Sequence, residues 1–177
     1  MSLPYPDEPI DEDFPRPPHQ FTDKEGHSIE IERATENVES LVEMYETFAS
    51  EDRAQGIPPS GEERIREWLD VVMKDRALNV VAWHDQKAVG HAMLVADKDE
   101  SYELAIFVQQ EYQKAGIGTA LMKTVLGAAQ ERGIERIWLS VERWNRAAIA
   151  LYEKVGFERV DNTSFEIEMT IRLAPEE

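Results

Sequence analysis

No cysteine occurs among the 177 residues, which excludes disulfides, thiolate metal sites and a cysteine nucleophile. Long apolar runs are also lacking, and no stretch approaches the roughly 18 residues that a membrane-spanning helix needs. The first residues show no basic segment followed by an apolar one, so no secretory signal is expected. The expectation is a cytoplasmic protein with no membrane partner. Basic residues are few: 19 Lys and Arg face 36 Asp and Glu, a formal net charge of −17 with a pI near 4.6. Such a chain repels phosphate backbones, so a nucleic-acid partner is not expected. Lysine is the scarcer base, seven against twelve arginines. An acidic, lysine-poor surface suits concentrated salt, where self-repulsion is screened. An ordinary acidic cytosolic protein is the alternative.

Apolar residues make up 42% of the chain, and its length suits one domain with a sizeable core. Residues 1–27 stand apart. They hold six of the nine prolines and acids at Asp7, Glu8, Asp11, Glu12 and Asp13. That composition reads as an extended or disordered acidic arm, loosely held, with Tyr5, Ile10, Phe14 and Phe21 as potential anchors. The body covers 28–173.

Within the body, Ser28 to Ala34 alternates as a half-exposed strand. Thr35 or Asn37 can cap a helix with Val38, Leu41, Val42, Tyr45 and Phe48 on its apolar face. A second helix is expected over Glu62 to Lys74, with Ile65, Trp68, Leu69, Val72 and Met73 inward. Leu78 to Trp83 and Ala88 to Ala96 form a hairpin. Leu104 to Val108 is a short apolar strand, followed by a helix ending at Gly133. Ile134 to Val141 is a strand, and Asn145 caps a helix stopped by Gly156. Two strands follow, Phe157 to Val160 and Phe165 to Leu173, around a turn at Asp161 to Thr163.

The stretch from Leu104 to Met122 organises the rest. A buried strand runs into a turn with Gly116 and Gly118, then into a helix with an apolar face. Free N–H groups and the positive end of the helix dipole meet there, which makes an anion site. Gln113-Lys114-Ala115-Gly116-Ile117-Gly118 fits neither the dinucleotide fingerprint nor the P-loop.

Its spacing, Q-x-x-G-x-G after a strand, resembles the acyl-CoA pyrophosphate loop of the GNAT N-acetyltransferase superfamily. The run from Asn145 to Phe157 resembles the second signature of that family, N-x-x-A-x-x-L-Y-x-K-x-G-F, at every listed position. The resemblance implies an α/β (α+β) fold: a mixed, mostly antiparallel sheet flanked by helices and split between the central strand and the next. It further implies acetyl transfer from acetyl-CoA to a primary amine by direct attack on the thioester. The strand segment Ile106, Phe107 and Val108 would hold the pantetheine arm, with the Val108 N–H polarising the thioester carbonyl. Gln113, Lys114, Ala115, Gly116, Ile117, Gly118, Thr119 and Ala120 would hold the pyrophosphate. Asn145 would bond the pantetheine and Tyr152 would protonate the leaving thiolate. Many relatives carry Arg and Gly where this chain has Gln113 and Lys114, and Lys114 lacks the backbone freedom of glycine.

The incoming amine must lose a proton. Glu103, Tyr102, Glu100, His91 or a water chain are the candidates, with Glu103 preferred. Adjacent strand residues face opposite ways, so Tyr102 and Glu103 cannot both face the cleft. Trp144, Glu142 and the loop Glu51 to Gly56 are candidates for the acceptor wall. Each site residue also has a structural reading: Tyr152 as core, Asn145 as a cap, Gly156 and Phe157 as a helix stop and core aromatic, and His91 as a satisfied interior group. His19, His27 and His84 show no ligand spacing, so no metal is expected. A homodimer is compatible with the sequence. A non-catalytic acyl-CoA-binding regulatory module, or an interaction protein using the arm, are the other functional readings.

Overall fold

Every neighbouring pair of strands but one is antiparallel among the described residues, and the exception is where the sheet opens. The computed structural model describes residues 3–49, 57–74, 76–97, 100–160 and 165–174. In chain order the elements are β1 (His19–Thr22), β2 (Ser28–Arg33), α1 (Glu39–Glu46), α2 (Glu62–Val72), β3 (Leu78–His84), β4 (Lys87–Ala96), β5 (Tyr102–Val108), α3 (Ile117–Arg132), β6 (Arg136–Glu142), α4 (Arg146–Val155), β7 (Glu158–Val160) and β8 (Glu166–Arg172). The strands form one eight-stranded sheet in the order β1-β2-β3-β4-β5-β6-β8-β7. The mixed, mostly antiparallel fold expected from the sequence is the one observed.

Strand alternation sorts the side chains into two cores. Leu104, Leu139, Met169 and Ile171 join the face packed on α3, built around Leu121, Met122, Val125 and Leu126. Val81 and Met93 lie on the other face, beneath Leu41, Tyr45, Ile65 and Leu69 of α1 and α2. The two helices therefore roof one side of β5 while α3 supports the other.

The central strand β5 is laddered to β4 from Ala96↔Tyr102 to Gly90↔Val108. Its parallel pairing with β6 is short, Tyr102↔Ile137 and Glu103↔Trp138, and then stops. Trp138 Nε1 donates to Asp97 Oδ2 at 2.8 Å, which pins β6 to the end of β4 where the pairing ends. Beyond that pin the sheet is split.

The loosely held arm is corrected. Phe14 is 2% exposed and belongs to the core. Its N–H donates to Gln130 Oε1 at 3.1 Å, and Gln130 Nε2 donates to the Glu12 carbonyl at 2.8 Å. Ile10 bridges to Leu173, and β1 adds an antiparallel edge strand beside β2. Prolines keep the arm extended, and backbone groups left unpaired by that extension are taken up by α3 and β8 side chains instead. Helix α1 begins later than its expected cap: Thr35 Oγ1 accepts from Asn37 N–H and Asn37 Oδ1 from Glu39 N–H, forming turns ahead of a helix whose N-cap is Val38. Helix α2 ends at Val72 rather than Lys74, and the β3–β4 turn is tightened to Asp85 and Gln86, both at positive φ. The expected turn at Asp161 to Thr163 lies outside the described residues.

Candidate active site

The register of β5 decides which of its amides are available. Gln109 N–H donates to the Val89 carbonyl at 2.9 Å, and bonded and non-bonded pairs alternate along an antiparallel ladder. Phe107 therefore exchanges its main-chain bonds with His91, its partner in register. The N–H and C=O groups of Ile106 and Val108 point the other way, into the split. β6 does not meet them, because its ladder has already ended. Gln113 Nε2 takes up the Val108 carbonyl at 3.0 Å, leaving the Val108 N–H facing the gap. Of the three strand residues, Phe107 offers the site only its ring, which lies on the α1–α2 face.

The strand continues through a 3-10 turn, Gln110–Tyr112, into the glycine loop. Gly116, at φ +96°, caps α3 with no side-chain hydrogen bond, and Ala120 N–H closes the first turn on its carbonyl at 3.1 Å. The N–H groups of Ile117, Gly118 and Thr119 have no acceptor among the described residues. Three parallel donors at the positive end of a 16-residue helix form an anion seat. A Cβ on Gly118 would touch only Val108 Cγ2, at 3.7 Å, so the space in front of the loop is open. Ala115 and Ile117 are buried and anchor the loop, while Thr119 and Ala120 are half-buried beside it. Lys114 sits at φ 64°, a left-handed conformation that costs a non-glycine residue about 1 kcal/mol.

On the far side of the split, Asn145 Oδ1 caps α4 by accepting from Ala148 N–H at 3.2 Å, as the sequence suggested. Its amide nitrogen is left for another partner. Two turns on, Tyr152 is half-buried against the α3-side core, its ring edge-on to Phe157 with centroids 6.0 Å apart. Burial raises its phenol above the usual tyrosine value, so the hydroxyl keeps its proton at neutral pH.

Glu103 stands on the opposite face of β5, at the point where the β5–β6 ladder ends. Its side chain reaches solvent, yet surrounding protein strips part of its hydration, and Asp97, Glu166 and Glu168 add like charge; both effects raise its carboxyl above the usual range. The other base candidates are placed differently. Tyr102 is buried in the α3-side core and Glu100 is exposed before the strand. His91 is fully buried, with Tyr45 Oη 2.6 Å from Nδ1 and Asn79 Oδ1 2.7 Å from Nε2. Trp144 is 75% exposed and Glu142 half-buried at the rim; Glu51 to Gly56 lies outside the described residues.

Sequence reasoning missed Gln109. It is 7% exposed, donates through Nε2 to Thr47 Oγ1 at 3.3 Å and has an Oε1 with no partner. It ties the end of β5 to the end of α1, 62 residues away in sequence. The acids around Glu103 were missed too, because they converge from β8 and the β4–β5 connection.

Unladdered strand amides beside an open helix N-terminus fit a ligand with an amide-bearing arm and a diphosphate, the chemistry of a nucleotide thiol carrier. A family model described as Acetyltransferase (GNAT) family matches residues 39–157. The ribosomal protein bS18-alanine N-acetyltransferase of Escherichia coli (strain K12) is 36% identical over 83 residues, 47% of this chain and 56% of the relative. The chain thus spans about half the length of the curated relatives it matches. Among solved structures, the GNAT domain of S. lividans PAT superposes with a TM-score of 0.74 at 17% identity, covering 88% of this chain and 96% of that one. A GNAT superfamily phosphinothricin acetyltransferase from Sinorhizobium meliloti, in complex with AcCoA, gives 0.67 at 19% identity, covering 81% and 88%. The likeness to these structures is one of fold. With two thirds of its length matched by the family model, this chain belongs to the GNAT acetyltransferase family.

Proposed function

We propose that the protein is an N-acetyltransferase that moves the acetyl group of acetyl-CoA to a primary amine by direct attack on the thioester. The observation that carries this reading is the early end of the β5–β6 ladder, which leaves the Ile106 and Val108 amides facing a gap beside three unpaired N–H groups of α3. The catalytic unit is assigned to residues 28–173 and the acidic arm to residues 1–27, of which residues 3–27 form a strap along it.

In this reading Ile106 and Val108 bind the pantetheine arm as an added strand would, and Gln113 through Ala120 seat the diphosphate. The Val108 N–H donates to the thioester carbonyl oxygen and stabilises the negative charge that develops there, the role of a fixed oxyanion donor. Glu103 takes a proton from the acceptor amine, its raised carboxyl being better matched to neutral pH than an ordinary one. Tyr152 gives its proton to the departing thiolate. Glu103 and Tyr152 come from opposite faces of the sheet, which suits an amine arriving on one side and a thiol leaving on the other. Asn145 bonds the arm through the amide nitrogen that the cap leaves free. A regulatory module without turnover would have no use for an acid and a base on either side of the split.

The acceptor classes open to this site are a small amine, an amino acid, a peptide N-terminus or a protein lysine. The bS18-alanine acetyltransferases make a peptide N-terminal alanine the first acceptor to try. The test is thiol release from acetyl-CoA over a panel of these acceptors; release that depends on the acceptor supports the reading, and tight binding without turnover across the panel removes it. A chain without cysteine needs no oxidising compartment to form disulfides, and a cytoplasmic setting is part of this reading. The net charge of −17 supports adaptation to high salt, which predicts higher activity and stability in molar salt than in dilute buffer; full activity without salt counts against it.

A further inference from the structure

The arm does not only clasp α3; it ends at the anion loop. Lys24 lies in the β1–β2 turn, and its main-chain N–H donates to the Ala115 carbonyl at 3.0 Å. Its side chain runs along the loop, with Cε 3.9 Å from where a Cβ on Gly116 would stand. Gly116 caps α3, so the end of the Lys24 side chain lies at the entrance to the helix whose first three amides are unpaired. The turn is held firmly: Asp23 Oδ1 accepts from the Glu25 and His27 N–H groups at 2.9 and 2.8 Å, and Asp23 Oδ2 pairs with His27 Nδ1 at 2.9 Å. Both Asp23 oxygens are thus directed into the turn.

The setting makes the placement telling. In a chain of net charge −17 with seven lysines, three gather here. Lys114 is in the loop, Lys24 lies along it, and Lys87 Nζ is 5.5 Å from the ring centroid of Tyr112, which leads into it. A strongly acidic protein repels a polyanionic substrate, and local cations at the seat oppose that repulsion.

We infer that Lys24 is a phosphate-binding residue, and that the arm thereby completes the acyl-CoA site. The inference rests on the acetyl-CoA reading above. The phosphate it meets is either the diphosphate, through the α3 amides, or the 3′-phosphate of the adenosine; both present the same dianionic oxygen chemistry to an ammonium.

Calorimetric titration of the full chain separates these. Lys24→Ala is expected to weaken acetyl-CoA binding about fivefold, the scale of one exposed charge pair, with a smaller salt dependence than wild type. Lys24→Arg should restore most of the affinity. Because the side chain is exposed, the thermal midpoint should stay unchanged. A loss seen with acetyl-CoA but not with its analogue lacking the 3′-phosphate assigns Lys24 to that group; an equal loss with both assigns it to the diphosphate. Wild-type affinity in Lys24→Ala for both compounds overturns the inference while leaving the acetyl-CoA reading intact. An arginine variant as weak as the alanine one overturns it as well, since packing rather than charge would then be at work. If wild type itself binds neither compound, the underlying reading fails first and this one with it.

Discussion

Tyr45 and His91 are joined by a 2.6 Å hydrogen bond that neither residue shares with water, both being fully buried. Its direction follows from the next link. Asn79 Nδ2 donates to the Val72 carbonyl at 3.1 Å, so Asn79 Oδ1 faces His91 Nε2 as an acceptor at 2.7 Å. His91 thus carries its proton on Nε2, and Nδ1 receives the Tyr45 hydroxyl. The chain of bonds ties α1, β4, β3 and the end of α2 together on the α1–α2 face of the sheet. It also assigns His91 to structure rather than to proton transfer.

Burial lowers the His91 imidazole to about 3, against an ordinary value near 6.5. The unfolded chain therefore binds a proton that the folded chain excludes. Stability from this group is fully present above about 6.5 and is lost as pH falls from there toward about 3. In urea unfolding between about pH 6.5 and 5, where most carboxylates stay ionised, the wild type should lose up to about 1.4 kcal/mol per pH unit from this group. His91→Gln should be less stable at neutral pH but should lack this slope. An equal slope in both proteins contradicts the assignment.

Glu103 has the opposite sense. A carboxyl raised in the folded state favours folding below its unfolded value, and that advantage is lost as pH rises through the folded value. At neutral pH the charged group is therefore a burden, and Glu103→Gln should unfold at higher urea than wild type. Its activity should fall about 100-fold, the lower range for loss of a general base. The acid limb of the kcat/KM profile, lying above the ordinary carboxylate range in wild type, should disappear.

Tyr152→Phe keeps the ring that packs edge-on to Phe157, so the fold and acetyl-CoA affinity should be preserved. Thiol release should fall about 100-fold, the lower end for a general acid because a thiolate leaves readily. Wild-type release across pH would return Tyr152 to packing.

Gly127 lies inside α3, where alanine ordinarily stabilises a helix by about 1 kcal/mol. Here a Cβ would stand 1.9 Å from the Pro15 carbonyl oxygen and 2.9 Å from that of Phe14. Gly127→Ala should therefore lift the strap and expose Phe14, whose burial contributes about 1.5–3 kcal/mol. The net expectation is a loss of about 0.5–2 kcal/mol, with faster proteolysis between Ile10 and Pro18. A gain in stability would show that the strap can yield at little cost.

Most of the site was legible because it is local. The strand Leu104 to Val108, the loop to Gly118, and the cap, phenol and glycine stop of α4 are each written within about one turn or one strand of sequence, where periodicity and capping speak directly. Alternation along β5 also separated Glu103 from Tyr102 before any contact was known. What stayed hidden depends on distant partners. Phe14 meets Gln130 across 116 residues, and Gly127 reads as an unremarkable glycine until Pro15 is seen against it. The acids that perturb Glu103 come from β8 and from the end of β4, and nothing local to Lys24 points to the glycine loop that its turn meets. Proline and acid content left extended and disordered chain both open and carried no information about what the chain lies on.

The central claim is that α3 amides and the free edge of β5 together hold acetyl-CoA. It is tested most directly by following every backbone amide in a two-dimensional nitrogen–proton spectrum during titration with acetyl-CoA. The account expects the largest shifts, and slowed hydrogen exchange, at Ile106, Val108, Ile117, Gly118 and Thr119. Binding that leaves these five amides unmoved would contradict it.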